Sequence, residues 1–406
     1  MALRSAMIVD KLLCEANEIS SWLPAIRSIN KDKMYQYKRV GGHYCRKIKK
    51  QPMIKFFRRI RQRLLDEGSL KRYIIYAIGE IILVVIGILI AVKLNNWNQE
   101  RIRKDEIENL LDKVEEDLAR NIKHFNSIIN VYQVNDSLTR KVINNQVTLE
   151  DYYRDNDLEN LLFRFQFLNI TYENIEKIIE TEENINSKYG KVIEAAKELL
   201  RANIYDELSG KPVIDFYNKN VDFKMSHPLW MVKSDSLSII KRYNYFLTDE
   251  NYKKQVLNYW GKTSFMVLTL MYSRSATMEL LGRLKIIRHN YDVDQLNQLF
   301  KSLNLNSFTM MDCQDVVPRN KDQHYRNERF LVANLSQEQV HLFLKNSNDE
   351  IILERKLKPD EYSIFMETQF GVEDIDEDFF SIIEVRKDGQ CLKKYAESIN
   401  GYLLLE

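Results

Sequence analysis

Three acidic residues at alternate positions, Asp374, Asp376 and Asp378, have the one-three-five spacing with which carboxylate oxygens gather around calcium. The pattern then fails, because Phe379 stands where the loop needs glycine and Val385 where it needs a bidentate glutamate. The stretch reads as a solvated acidic loop, and the Glu180–Glu183 cluster reads as an exposed helix end. The six histidines, His43, His124, His227, His289, His324 and His341, share no metal-ligand spacing. Neither His-Glu-x-x-His nor Cys-x-x-Cys occurs, so no metal and no cofactor is expected. There is no Gly-x-Ser-x-Gly elbow, no phosphate-binding loop and no dinucleotide fingerprint. Nothing in the chain marks an enzyme.

Glu80 is a different case, being the only charge between Ile74 and Val92. If that apolar run crosses a bilayer, the carboxylate lies about 9 Å inside it. An ionised carboxylate there costs on the order of 2.5–3.5 kcal/mol, which calls for a partner: a second chain, an ion or a buried cation. The alternative is a protonated side chain, or one that snorkels toward the interface beside Tyr76. Gly79, Gly87 and Ala91 add small residues, and the four-residue spacing of Gly87 and Ala91 permits close helix approach. Gly79, Glu80, Gly87 and Ala91 are therefore expected to form an association face, for self-association or for docking another membrane protein.

The element that must position these residues is a helix. From Ile74 to Leu94 it would measure about 31 Å, close to the hydrocarbon thickness of a bilayer. Tyr73 and Tyr76 before it and Trp97 after it fit aromatic anchors at the two interfaces. Buried core helices rarely run so far without a polar face. No small-residue cleavage site follows, only Asn95-Asn96-Trp97-Asn98, so the segment reads as an uncleaved signal-anchor over residues 73–94.

Charge orients the span. Residues 1–72 carry 18 basic and 6 acidic side chains, and the remaining 334 carry 42 and 52, turning +12 before the span into −10 after it. That asymmetry predicts a cytoplasmic N-terminus and a body on the far side of the membrane. Cys313 and Cys391 would then meet an oxidising compartment and can pair, whereas Cys14 and Cys45 would stay reduced. Residues 53–72 read as a basic amphipathic helix, with Lys55, Arg58, Arg59 and Arg63 opposite Ile54, Phe57, Ile60 and Leu64, and with Lys71 and Arg72 at the membrane edge. Such a helix suits an anionic lipid surface at about 1 kcal/mol per basic residue, so the expected partner is the bilayer and not nucleic acid. Residues 1–52 form an irregular extension without sustained period, and Met53 is expected to be the true start.

Met53-Ile-Lys-Phe-Phe-Arg-Arg-Ile-Arg-Gln, then Tyr76-Ala-Ile-Gly-Glu-Ile-Ile-Leu-Val-Val-Ile-Gly-Ile-Leu-Ile-Ala, then Asn95-Asn-Trp-Asn, resemble the N-terminal signature of a family of uncharacterised single-pass membrane proteins of Gram-negative bacteria. The likeness covers residues 53–101 and fixes polar residues (Glu80, Asn95, Asn96, Asn98) inside and beside an apolar run. Lys93-Leu94 stands where Gln-Ile is usual. Thr171-Tyr172-Glu173 echoes a downstream element, but the Ser-Gly expected after it is missing. The resemblance implies an inner-membrane anchor with a periplasmic domain of unknown function, and it brings no activity.

After the span, Ile107, Leu111, Val114, Leu118, Ile122, Phe125, Ile129 and Tyr132 step by three and four, an apolar seam on a helix that runs to Asn144-Asn145. Helical periods continue at about 149–167, 172–181, 187–208, 234–247, 249–271, 272–289 and 293–303, broken at Ser209-Gly-Lys-Pro212 and Ser226-His-Pro228. They predict an antiparallel bundle over residues 95–303. After Asn304 short runs rich in β-branched and aromatic residues take over: 329–334, 340–345, 351–356, 362–367, 379–386, 391–395 and 401–405. Turn-formers separate them, which predicts a small antiparallel β-sandwich or barrel over residues 304–406. The expected fold is mainly α with a C-terminal β-domain. The expected function is a membrane-anchored binding or scaffolding module; a ligand sensor working through a separate cytoplasmic partner and a tethered envelope hydrolase are the alternatives.

Overall fold

The apolar run from Ile74 and the three-and-four stepping of apolar residues after it wind into one long helix, α1 (Leu70–Ile143). In the computed structural model, which describes residues 70–231, 236–315, 329–345, 350–366, 382–387, 390–396 and 401–406, the chain falls into two units, Met1–Leu94 and Asn95–Glu406. Of the first unit only the helical residues 70–94 are described, and their apolar side chains face outward: Ile74 to Leu94 are all largely exposed at the Ile, Leu and Val positions. The 1–52 extension, most of the 53–72 segment, and the Asp374–Asp378 stretch with Phe379 lie outside the described residues.

In the second unit the seam is buried as its spacing requires. Leu111, Val114, Leu118, Ile122, Phe125 and Ile129 are fully enclosed, and Tyr132 nearly so. Four short helices and three long ones pack around it: α2 (Leu149–Arg154), α3 (Asn156–Glu159), α4 (Glu173–Glu180), α5 (Gly190–Ser226), α6 (Pro228–Met231), α7 (Ser236–Thr248) and α8 (Glu250–His289); α9 (Val293–Ser302) closes the helical part. Their ends are chemically marked. Asp249 caps α8 by accepting from Tyr252 N at 2.8 Å, Asn290 ends it in the left-handed conformation (φ 53°), and Asp292 with Gln295 forms a capping box on α9.

Three helical expectations are corrected. The run at 149–167 is not one helix: Thr148 caps α2, Asp155 caps α3, and the chain then extends along α1, where Asn121 exchanges two hydrogen bonds with the Thr171 backbone (2.8 and 3.1 Å). Conversely, α5 runs straight through Pro212, the expected break. Pro212 lies on the solvent side, while Ser209, Gly210 and Val213 are buried on either side of it, so tertiary packing outweighs the roughly 3 kcal/mol that an interior proline costs. The expected division at Met271–Tyr272 is absent too. Residues Met266–Leu284 are buried almost all round, which makes α8 the central helix of the unit.

Nine strands are present among the described residues. β1 (Asn306–Ser307), β3 (Arg329–Asn334), β6 (Glu361–Met366) and β9 (Gly401–Leu405) form one sheet in the order β1-β9-β3-β6. β2 (Thr309–Met311), β4 (Val340–Lys345), β5 (Ile351–Leu357), β7 (Ile382–Lys387) and β8 (Gln390–Ala396) form the other, in the order β2-β8-β7-β4-β5. The second sheet is antiparallel throughout, but β9 runs parallel to both β1 and β3, so the first is mixed and not antiparallel as expected. Phe330, Val332, Phe365, Leu403 and Leu405 meet Leu342, Leu344, Ile383 and Val385 across the sandwich. The opposite face of the first sheet carries Leu331 and Tyr402 into the helical core, where Tyr402 meets Phe300 edge-on and donates to Asn297 O at 3.2 Å. Both faces of β3 and β9 are therefore covered, and their continuous apolar runs, Phe-Leu-Val-Ala and Tyr-Leu-Leu-Leu, reflect it. Packing does not divide at 303/304: helices, inner sheet and outer sheet are three layers of one unit.

Candidate functional site

The residues expected to form an association face are all on α1. At 100° per residue, Glu80, Gly87 and Ala91 fall within about 40° of one another, and Gly79 stands about 100° away. Gly79 and Gly87 have open space where a Cβ would be, and Ala91 is exposed. Glu80 is half-buried and is engaged with a partner rather than free. Lys71 is exposed and Arg72 belongs to the same helical turn, while Lys55, Arg58, Arg59 and Arg63 lie outside the described residues. Cys313 and Cys391 are joined by a disulfide with Cα atoms 6.0 Å apart, tying the segment after β2 to β8.

In the second unit a site emerges that the sequence reading passed over. The buried seam of α5 is Leu199, Ala202, Asp206, Ser209 and Val213, so a carboxylate and a hydroxyl occupy core positions. Asp206 is 3 % exposed and neither of its oxygens has a hydrogen-bonding partner. The hydroxyls of Ser273 and Thr269 face it from α8, near enough to ease its burial but outside hydrogen-bonding geometry; Thr269 instead bonds Ser209 at 2.7 Å, and Ser273 Oγ is itself unpartnered. Burial pushes the Asp206 carboxyl up to about 7, against the smaller opposing effects of those hydroxyls and of Arg329 on β3. The same dry surroundings raise the Tyr172 phenol, with Asp206 and Glu207 adding to the rise, and lower the Arg329 guanidinium. Arg329 lies over the Tyr272 ring at 5.5 Å, and Tyr272 donates to Glu198 at 2.6 Å. The legible signal was a polar residue at seam spacing, three and four residues from Ala202, Ser209 and Gly210.

A second buried carboxylate, Glu115 on α1, has the opposite surroundings. Lys285 donates to it at 2.5 Å and Arg288 at 2.7 Å, and His289 Nε2 lies 3.2 Å away. Arg288 also reaches Asp112 (2.6 Å) and Glu108 (3.0 Å). Burial works to raise the Glu115 carboxyl, but the two cations outweigh it and hold it below the usual range. In the outer sheet Glu384 is likewise matched, by Lys345 (2.6 Å) and Arg386 (2.7 Å). These networks join elements and leave no group poised for chemistry.

His124, His227, His289 and His341 are scattered, and among the described residues no group of three or more His, Cys, Asp or Glu could hold a metal ion. A surface cleft of about 200 Å³ lies between Leu138, Gln146, Asp151 and Arg154, and another of about 280 Å³ lies between Ser336, Arg386, Leu392 and Leu405. Both are smaller than the usual small-molecule site of about 300–1,000 Å³. Compared with known proteins, the chain matches no family model, no curated protein and no solved structure.

Proposed function

We propose that this protein is a single-pass inner-membrane protein, anchored by residues 73–94 with its N-terminus in the cytoplasm, whose body serves as a periplasmic, non-catalytic binding or scaffolding module. The carrying observation is the bare apolar surface of the first unit. Fourteen Ile, Leu and Val side chains between Ile74 and Leu94 are 47–73 % exposed, in a helix long and apolar enough to cross a membrane. Leaving each half-exposed in water forgoes roughly 1 kcal/mol, about 14 kcal/mol together, which is as much as a whole domain's stability. A bilayer removes that cost. The Cys313–Cys391 bond supports an oxidising compartment for the body, and the basic surplus before the span supports the orientation. Membranes washed with alkaline carbonate should retain the protein until detergent is added. Recovery in the aqueous fraction would overturn the reading. A thiol reagent that cannot cross the inner membrane should label Cys313 and Cys391 only after reduction; free labelling of both in unreduced cells would remove the compartment argument.

A further inference from the structure

We propose that Asp206 is a proton-controlled latch at the junction of α5, α8 and β3: neutral, it permits the closed packing of the three elements, and on losing its proton to solvent it loosens that junction. The geometry has two independent parts. First, the Asp206 carboxyl receives no hydrogen bond in the closed packing, and an unmatched buried charge is resolved by neutralisation or by movement. Secondly, movement has a place to occur. Pro212, six residues along α5, cannot donate to the Leu208 carbonyl, so the helix is least tied together in the turn that follows Asp206.

The groups facing Asp206 make the charged form seek a new arrangement. Glu207 on its own helix and the Tyr172 phenol offer no compensating charge. Ser273 and Thr269 on α8 offer hydroxyls, and Arg329 on β3 offers the nearby cation, lying over Tyr272, which is itself bonded to Glu198. Ionisation thus pulls on β3, the strand that lies between the helical core and the outer sheet. The sign follows from the raised carboxyl: a form in which Asp206 reaches water ionises near 3.8, and the closed form near 7. The opening equilibrium therefore rises about tenfold per pH unit between roughly 4 and 7, and is flat above.

Hydrogen exchange on the full chain in detergent, corrected for the intrinsic pH dependence of exchange, tests this. Peptides covering 198–213 and 329–334 should lose about 50-fold protection between pH 5 and pH 7, whereas a peptide from the α1 seam, 118–129, should not follow them. Asp206→Asn keeps the shape and removes the titration, so its protection at these peptides should be the same at both pH values. Unchanged wild-type protection over that range overturns the latch, whatever the variant does. So does an Asp206→Asn chain that shows the wild-type pH dependence.

Discussion

Glu115 and Asp206 are both carboxylates under 10 % exposed against the same central helix, yet their surroundings point in opposite directions. Around Glu115 the sequence supplies Lys285 and Arg288 one helical turn apart on α8, so the charge enters the interior already matched. Around Asp206 the same helix supplies Thr269 and Ser273, hydroxyls with no charge to give. The difference shows that burial by itself does not decide what a carboxylate does. Matched, it fastens two helices together; unmatched, it holds a proton and responds to pH.

The largest break in that comparison is Glu115→Ala. It leaves Lys285 and Arg288 side by side and partly enclosed, and should cost about 4 kcal/mol in denaturant unfolding at pH 7. Next comes Asp206→Asn, which should stabilise the protein by up to about 4 kcal/mol at pH 8, where the wild-type carboxylate is charged, and by little at pH 4. The wild-type stability profile should show both signs. The Asp206 contribution, present below 3.8, is lost as pH rises toward 7; the Glu115 contribution, present above about 4.5, is lost as pH falls below it. Urea midpoints measured across pH 3–8 for the wild type and both variants would separate them. A smaller effect belongs to Ser209→Ala. Losing the bond to Thr269, whose hydroxyl keeps its bond to Met266 O, should cost about 1 kcal/mol. The smallest is Lys387→Ala, since the Lys387–Glu338 pair is exposed on both sides; a shift under about 0.5 kcal/mol is expected.

Much of the architecture was legible because its signals are local. The α1 seam needs only a count of three and four, and the strands Arg329–Asn334, Val340–Lys345 and Gly401–Leu405 begin and end where the composition says they should. The turn at Lys358-Pro359-Asp360 is equally local: Asp360 adopts the left-handed conformation (φ 57°) and donates its N–H to Asn334 O. What local signals cannot carry is whatever a distant partner decides. Pro212 stays helical because its neighbours are packed on both sides. The parallel pairing of β9 joins residues far apart in sequence, Asn306 with Gly401 and Leu331 with Tyr402, and leaves no trace in the segments it joins. Asp206 was missed for the same reason. Its spacing placed it inside, but only the placement of Ser273, Thr269 and Arg329, far along the chain, reveals that its oxygens receive no hydrogen bond.

The position of β9 bears on how this chain is made. Gly401–Leu405 is the last of the described strands in chain order, yet it lies between β1 and β3, bridging residues translated long before it. Until it emerges, the inner sheet has an open slot with apolar walls on both sides. During synthesis the inner sheet therefore cannot be completed until this strand is made, and a pairing between residues so far apart in sequence makes its closure a slow step of folding.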